Sequence, residues 1–273
     1  MTARPLVALL APALASACLL GCGGGASTEP SEAASGATEP TGAPTVPEVV
    51  TMRQAIELAK AVNLRAEDVP YFEEEPEEPE SEEDTARERR LKRDFGRCLG
   101  GLDLSEHLVE HESPSFDSSS AGEVLSVQSA VEVLSTTKLA ERRARAYRSR
   151  RGQRCFRRLL IPAFEEEGSS EVEIGEARIT RLPPPLPGVE GSFGYRIATT
   201  ATATGAQTQL TAYEPGPEAA SPRTIPFYID LLAFTVGPAE VDLIAMGSPT
   251  PVSRNLERNL LTVLHDRAVA NLP

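Results

Sequence analysis

Apolar residues follow two periodicities along this chain, and the change from one to the other sets the expected architecture. Ile56, Leu58, Ala59, Val62 and Leu64 recur at helical spacing within Met52 to Phe72, a segment that ends in an extended piece, Asp68 to Phe72. That spacing fits either a helix docked on the body or a free arm. Arg87 to Leu99 places Leu91, Phe95, Cys98 and Leu99 on one helical face, and Gly100 and Gly101 stop it. Val124 to Leu134 then alternates, with Leu125, Val127, Val131 and Val133 on one side of a strand. Helical spacing returns from Leu139 to Arg150 through Ala140, Ala144 and Tyr147. Gly152 is expected to break that helix, and a further one from Gln153 turns Cys155, Phe156, Leu159 and Leu160 inward before Pro162 kinks or ends it.

From Glu171 the period is two. Strands are expected at Val172 to Leu182, Phe193 to Thr204, Gln207 to Tyr213, Ile225 to Thr235 and Glu240 to Met246, separated by Pro and Gly clusters. The fourth is apolar on both faces, through Ile225, Phe227, Ile229 and Leu231 on one and Tyr228, Leu232 and Phe234 on the other, so it belongs inside a sheet. Short connections favour antiparallel neighbours. Thr250 as N-cap and Pro251 at the first helical position open a closing helix with Leu256, Leu260, Val263 and Leu264 inward. The fold class is therefore α+β: an antiparallel sheet covered by helices, in one domain over residues 48–273.

Residues 1–21 have the parts of an export signal, with Arg4, an apolar run from Leu6 to Leu20, and small residues at the end. The run is too short to cross a bilayer core of roughly 30 Å, contains Pro12 and is preceded by Pro5. Leu19, Leu20, Gly21 and Cys22 look like a lipobox, which would expose the Cys22 thiol at a new N-terminus for acylation; a plain secretory cut after Ala17 is the alternative. The expected location is the cell membrane, lipid-anchored on the extracytoplasmic side. Gly23 to Pro47 is Gly, Ala, Ser, Thr, Pro and Glu with no large apolar residue except Val46, a composition that cannot bury enough surface to order itself, and residues 22–47 read as a tether. A second polar stretch, residues 73–84, reads EEEPEEPESEED and is expected to be an extended acidic loop.

Charge and cysteines narrow the partners. The whole chain carries −13, and removal of residues 1–21 takes away Arg4 and no acid, leaving −14. Nucleic acid is excluded as a partner on that balance, because a binder needs a basic footprint to displace counterions. Of the four cysteines, Cys18 leaves with the signal and Cys22 takes the lipid, so Cys98 and Cys155 remain. Two thiols in an exported chain are expected to form one disulfide, with two buried free thiols as the alternative. Neither has a CxxC neighbour or a nearby histidine, so zinc ligation by the cysteines is not expected.

The order "DFGRCLGG", "SVQSAVEVLSTTKLAERRARAYRSRRGQRCF", "RLPPPLPG…GSFGYRIATT" and "PFYIDLLAFTVGPAEVDLIAMGSP…NLERNLLTVL" resembles exported lipoproteins of actinobacterial type, themselves similar to the extracellular sensor domain of the PknH-type kinases. The resemblance covers the chain from about Leu64 onward. It implies an antiparallel α+β domain, a disulfide between helical segments, and a groove for a small ligand. This chain departs from those domains in having one possible disulfide instead of two, no kinase domain attached, and an acidic insert at residues 73–84.

Three constellations carry possible chemistry. His107, Leu108, Val109, Glu110 and His111 spell HxxEH, in which two histidines one helical turn apart ligate zinc and the glutamate acts as base. Gly100 and Gly101 before it and Pro114 after leave barely two helical turns, so the zinc-hydrolase reading stands only as an alternative. No GxSxG, P-loop or GxGxxG is present, and no catalytic residue, metal or cofactor is assigned. Phe193, Tyr195, Phe227 and Tyr228 are candidate lining residues for a small apolar ligand, with core packing as the other reading of the same residues. Arg142, Arg143, Arg150, Arg151, Arg157 and Arg158 crowd two successive helices and form a candidate patch for an anionic surface, with an ordinary solvated face as the alternative. The function expected is a non-catalytic ligand-binding or sensor-like module with a small ligand or an envelope protein as partner; a carrier of a lipid or other apolar ligand is the alternative.

Overall fold

The computed structural model describes residues 49–76, 81–120, 122–165, 172–203 and 224–273. Helix α1 (Met52–Val62) starts at Thr51, whose side chain accepts from the Gln54 amide in a capping box. Strand β1 (Glu73–Glu74) and helix α2 (Glu82–Cys98) follow. The acid-rich segment is thus less of a loop than its composition implies: Glu73 and Glu74 pair with Asp117 and Phe116, and Glu82 opens a helix. Strands β2 (Val109–Glu112), β3 (Phe116–Ser120) and β4 (Glu123–Val133) come next, then α3 (Thr137–Arg148) and α4 (Arg150–Glu165). The break between these helices is at Ser149, not at Gly152. Ser149 accepts from the Gly152 amide, and a side chain on Gly152 would run into the Tyr147 carbonyl, so glycine sits where two helix ends meet closely. Pro162 does not end α4, which runs to Glu165.

The expected strand over residues 172–182 is two strands, β5 (Val172–Ile174) and β6 (Arg178–Leu182), both paired with β7 (Phe193–Ala203). The expected strand at Gln207 to Tyr213 lies outside the described residues. Strands β8 (Thr224–Val236) and β9 (Ala239–Ser248) and helix α5 (Arg254–Ala270) complete the chain. Helix α5 begins later than expected. Ser253, not Thr250, caps it by accepting from Leu256, while Pro249 and Pro251 stay in the preceding extended turn.

All pairings in the sheet are antiparallel, in the order β1-β3-β4-β9-β8-β7-β5, with β2 also on β4 and β6 also on β7. Strand β8 is interior, between β7 and β9, as its two apolar faces require. Alternation divides the side chains into two cores. One lies under α1 and α5 and holds Leu58, Val62, Val127, Val131, Phe234, Val241, Leu243, Leu261 and Leu264. The other lies under α2, α3 and α4 and holds Phe95, Phe156, Phe193, Tyr195, Ile197, Ile229 and Ile244. The architecture is α+β with the sheet covered on both faces. Cys98 and Cys155 form the disulfide, which ties the end of α2 to α4 with Cα atoms 5.8 Å apart. Both sulfurs belong to the second core.

Helix α1 is docked. Ala55, Leu58, Ala59 and Val62 are buried, whereas Ile56 is exposed. Beyond the helix, Asn63 donates to the His111 carbonyl at 2.7 Å and accepts from Ser129 Oγ at 2.9 Å, and Arg267 from α5 holds Asp68 through two bonds of 2.6 and 2.7 Å.

Candidate functional site

Strand register builds a row of acids on the face covered by α2, α3 and α4. Glu110 on β2 stands opposite Glu132 on β4, and Glu132 stands opposite Glu240 on β9. Asp242 lies two residues further along the same face of β9. Like charges directly opposite one another on a sheet destabilise it unless cations intervene. Two do. Lys92 from α2 reaches Glu110 at 3.1 Å and Glu88 at 3.0 Å, and Arg143 from α3 donates to Glu132 at 2.5 Å. Arg143 also donates to the Asp103 and Glu106 carbonyls at 3.1 Å each, holding the loop that carries His107 against the row.

Burial and mutual repulsion dominate the protonation of this cluster. Burial, with Glu132 adding repulsion and Lys92 opposing it, pushes Glu110 up to about 9. Burial and then the Glu132 charge bring Asp242 to about 7. Glu240 is raised well above the ordinary carboxylate range by burial, Asp242 and Glu132. Burial pushes His107 down and so favours its neutral form. Lys92 is the reverse case: burial works against its ammonium, but Glu110, Glu132 and Glu88 outweigh it and raise the group.

Beside the acids a recess opens between sheet and helices. Leu91 and Phe95 of α2, Tyr147 of α3, Phe156 and Leu160 of α4, and Phe193, Leu231 and Ala233 of the sheet form its apolar wall, with Lys92, Glu132, Glu240 and Asp242 at one end. It leaves about 70 Å³ for the centres of water-sized molecules. The rings brace one another: Phe95 and Phe156 are 4.7 Å apart, Phe156 and Tyr195 4.5 Å, and Tyr147 and Phe193 5.6 Å. Tyr195 donates its hydroxyl to the Tyr147 carbonyl at 2.8 Å, so the floor of the recess fixes the end of α3.

The lining residues expected from sequence divide. Phe193 lines the recess, and Tyr195 lies beneath it, fully buried. Phe227 is on the same face but packs beside Phe164, with ring centroids 6.4 Å apart. Tyr228 is on the opposite face, under the Arg196 guanidinium at 5.9 Å. The basic patch loses Arg143, whose side chain is only 1% exposed and belongs to the acidic row. Arg142, Arg150, Arg151, Arg157 and Arg158 are exposed, and Arg151 donates to the Cys98 carbonyl at 2.5 Å.

In the HxxEH segment His107 sits in a loop and Val109, Glu110 and His111 are in strand β2, and this removes the helical geometry the zinc motif requires. Period two sends Glu110 to the acidic row and His111 to the other face, where its Nδ1 is 2.9 Å from Asn63 Nδ2. His107, Glu110 and Glu132 remain together, each offering one ligand atom within 4.8 Å of the others. They could approach a divalent ion, but Lys92 and Arg143 already engage both carboxylates. Glu132, Glu240 and Asp242 belong to the site although the sequence pattern did not single them out. The signal for them was present: ionisable residues at every second position of otherwise apolar strands, as in Val131–Glu132–Val133 and Glu240–Val241–Asp242.

No family model matches the chain, and no curated protein is similar to it. Among solved structures, the extracellular domain of PknH from Mycobacterium tuberculosis is similar, with 9% identity, a TM-score of 0.28, and coverage of 63% of this chain and 70% of that one. A likeness this distant carries no argument about function. No helix of the described residues is long and apolar enough to cross a membrane.

Proposed function

We propose that this protein is a lipid-anchored, extracytoplasmic module that binds a small ligand in the recess between the sheet and helices α2, α3 and α4, without catalysing a reaction. The observation that supports this reading is the recess itself, where an aromatic and aliphatic wall converges on a few fixed polar groups. The arrangement suits retention of a ligand. No side chain there is set as a nucleophile beside a base, and His111, the second histidine of the zinc motif, is engaged with Asn63 on the other face. Anchoring follows from the lipobox-like Leu19 to Cys22, and the same recess would serve a carrier of a small apolar ligand as well as a sensor.

Native mass spectrometry of the full-length chain purified from its membranes tests the reading, with Leu231→Trp as the variant that fills the recess. The expected result is a small-molecule adduct on the parent chain that is missing from a folded Leu231→Trp chain. A bare mass for both, or an adduct unaffected by the substitution, rejects the recess as the binding site.

A further inference from the structure

We propose, building on the recess as a binding site, that its ligand carries an ammonium head on a short apolar body. The acidic end of the recess is the source of this assignment. Glu132, Glu240 and Asp242 line that end with Lys92, and Glu88, Glu110 and Arg143 adjoin it through their ion pairs with Lys92 and Glu132. Those cations are committed: Lys92 to Glu88 and Glu110, Arg143 to Glu132 and two loop carbonyls. Glu240 is left over. Its side chain is 4% exposed, its Oε2 has no hydrogen-bond partner among the described residues, and Arg143 Nη1 comes no nearer than 3.9 Å. A buried carboxylate oxygen in that position calls for a donor; burial and mutual repulsion hold Glu240 protonated by itself, and a cation seated beside it would let it ionise and form an ion pair.

The remaining walls select what the cation is attached to. Phe95, Tyr147, Phe156 and Phe193 line it with aromatic surface that favours the methylene groups of an organic cation over water. The free space of about 70 Å³ corresponds to about five to seven water molecules at roughly 10–15 Å³ each, which admits a chain of about five heavy atoms. An anionic ligand would meet Glu132, Glu240 and Asp242, with Lys92 and Arg143 already paired to carboxylates. A neutral alcohol would bond to Glu240 without forming an ion pair with it.

Ligand-detected NMR titrations of the full-length chain with n-butylammonium, 1-butanol and butyrate test the assignment, each repeated on Glu240→Gln. The expected order is butylammonium tightest, 1-butanol weaker by about tenfold or more, and butyrate without saturable binding, with Glu240→Gln weakening butylammonium by about tenfold and leaving 1-butanol unchanged. The Gln variant keeps the side-chain shape and removes a buried acid, and its cooperative melt verifies folding. Equal affinities for butylammonium and 1-butanol, or butylammonium binding untouched by Glu240→Gln, overturn the ammonium assignment while the recess stands as an apolar site. Failure of all three compounds to bind a folded parent chain overturns the assignment together with the recess.

Discussion

Glu110 shows how strongly position in a strand rules a residue's chemistry. With its carboxyl at about 9 in the folded chain against an ordinary 4.5, and Asp242 at about 7 against 3.8, the native state holds more protons than the unfolded state through the neutral range. An acid whose folded value is raised contributes stability that is fully present below its unfolded value and is lost as pH climbs through the folded one. Glu257, pushed to about 8 by burial and its bond with Asp230, acts in the same direction from the other side of the sheet. The melting temperature is therefore expected to fall from pH 5 to pH 9, and Glu110→Gln, which cannot ionise, to give a shallower fall; equal slopes in thermal melts of the two chains would contradict this. At this scale the sequence showed which residues were unusual but not their partners. His107, Glu110 and His111 stood out as a set, yet a helix would have stacked the two histidines and the strand separates Glu110 from His111.

Helix α1 and the residues after it make the same point for an element. Its apolar spacing was visible, and four of its residues are buried, but spacing alone could not tell a docked helix from a free arm. Docking depends on Asn63, Ser129, His111, Asp68 and Arg267, polar partners up to 204 residues apart. Leu58, 1% exposed beneath the helix, is the residue whose loss reports on the packing. Leu58→Ala is expected to cost about 3 kcal/mol in denaturant unfolding, the usual penalty for a core leucine replaced with a cavity. A change within about 0.5 kcal/mol, typical of surface sites, would show that α1 does not stay on the body. Strands β2 and β3 offer no apolar alternation to detect, because β2 reads Val-Glu-His-Glu and β3 Phe-Asp-Ser-Ser-Ser.

For the whole molecule, charge separation is the property with a measurable consequence. An acidic chain of −13 exposes Arg142, Arg150, Arg151, Arg157 and Arg158 on adjoining helices. Their attraction to an anionic surface is screened over about 10 Å at 0.1 M salt. The full-length chain with Cys22→Ser is expected to sediment with vesicles containing anionic lipid, to release as salt rises, and to bind less after Arg150→Glu and Arg157→Glu; salt-insensitive binding to neutral vesicles would refute an electrostatic surface contact. By itself the sequence determined what local chemistry dictates: period-two and helical segments, hence an antiparallel α+β fold, an interior β8, and a pair of cysteines on apolar helix faces. Tertiary structure decided what depends on register and on which elements meet. It put Glu110, Glu132 and Glu240 in one row, drew Arg143 from the surface into that row, and sent Tyr228 away from the recess. The physical reason is that a side chain's face follows from its own strand, whereas its neighbours follow from strand order and helix docking, which couple residues more than a hundred positions apart.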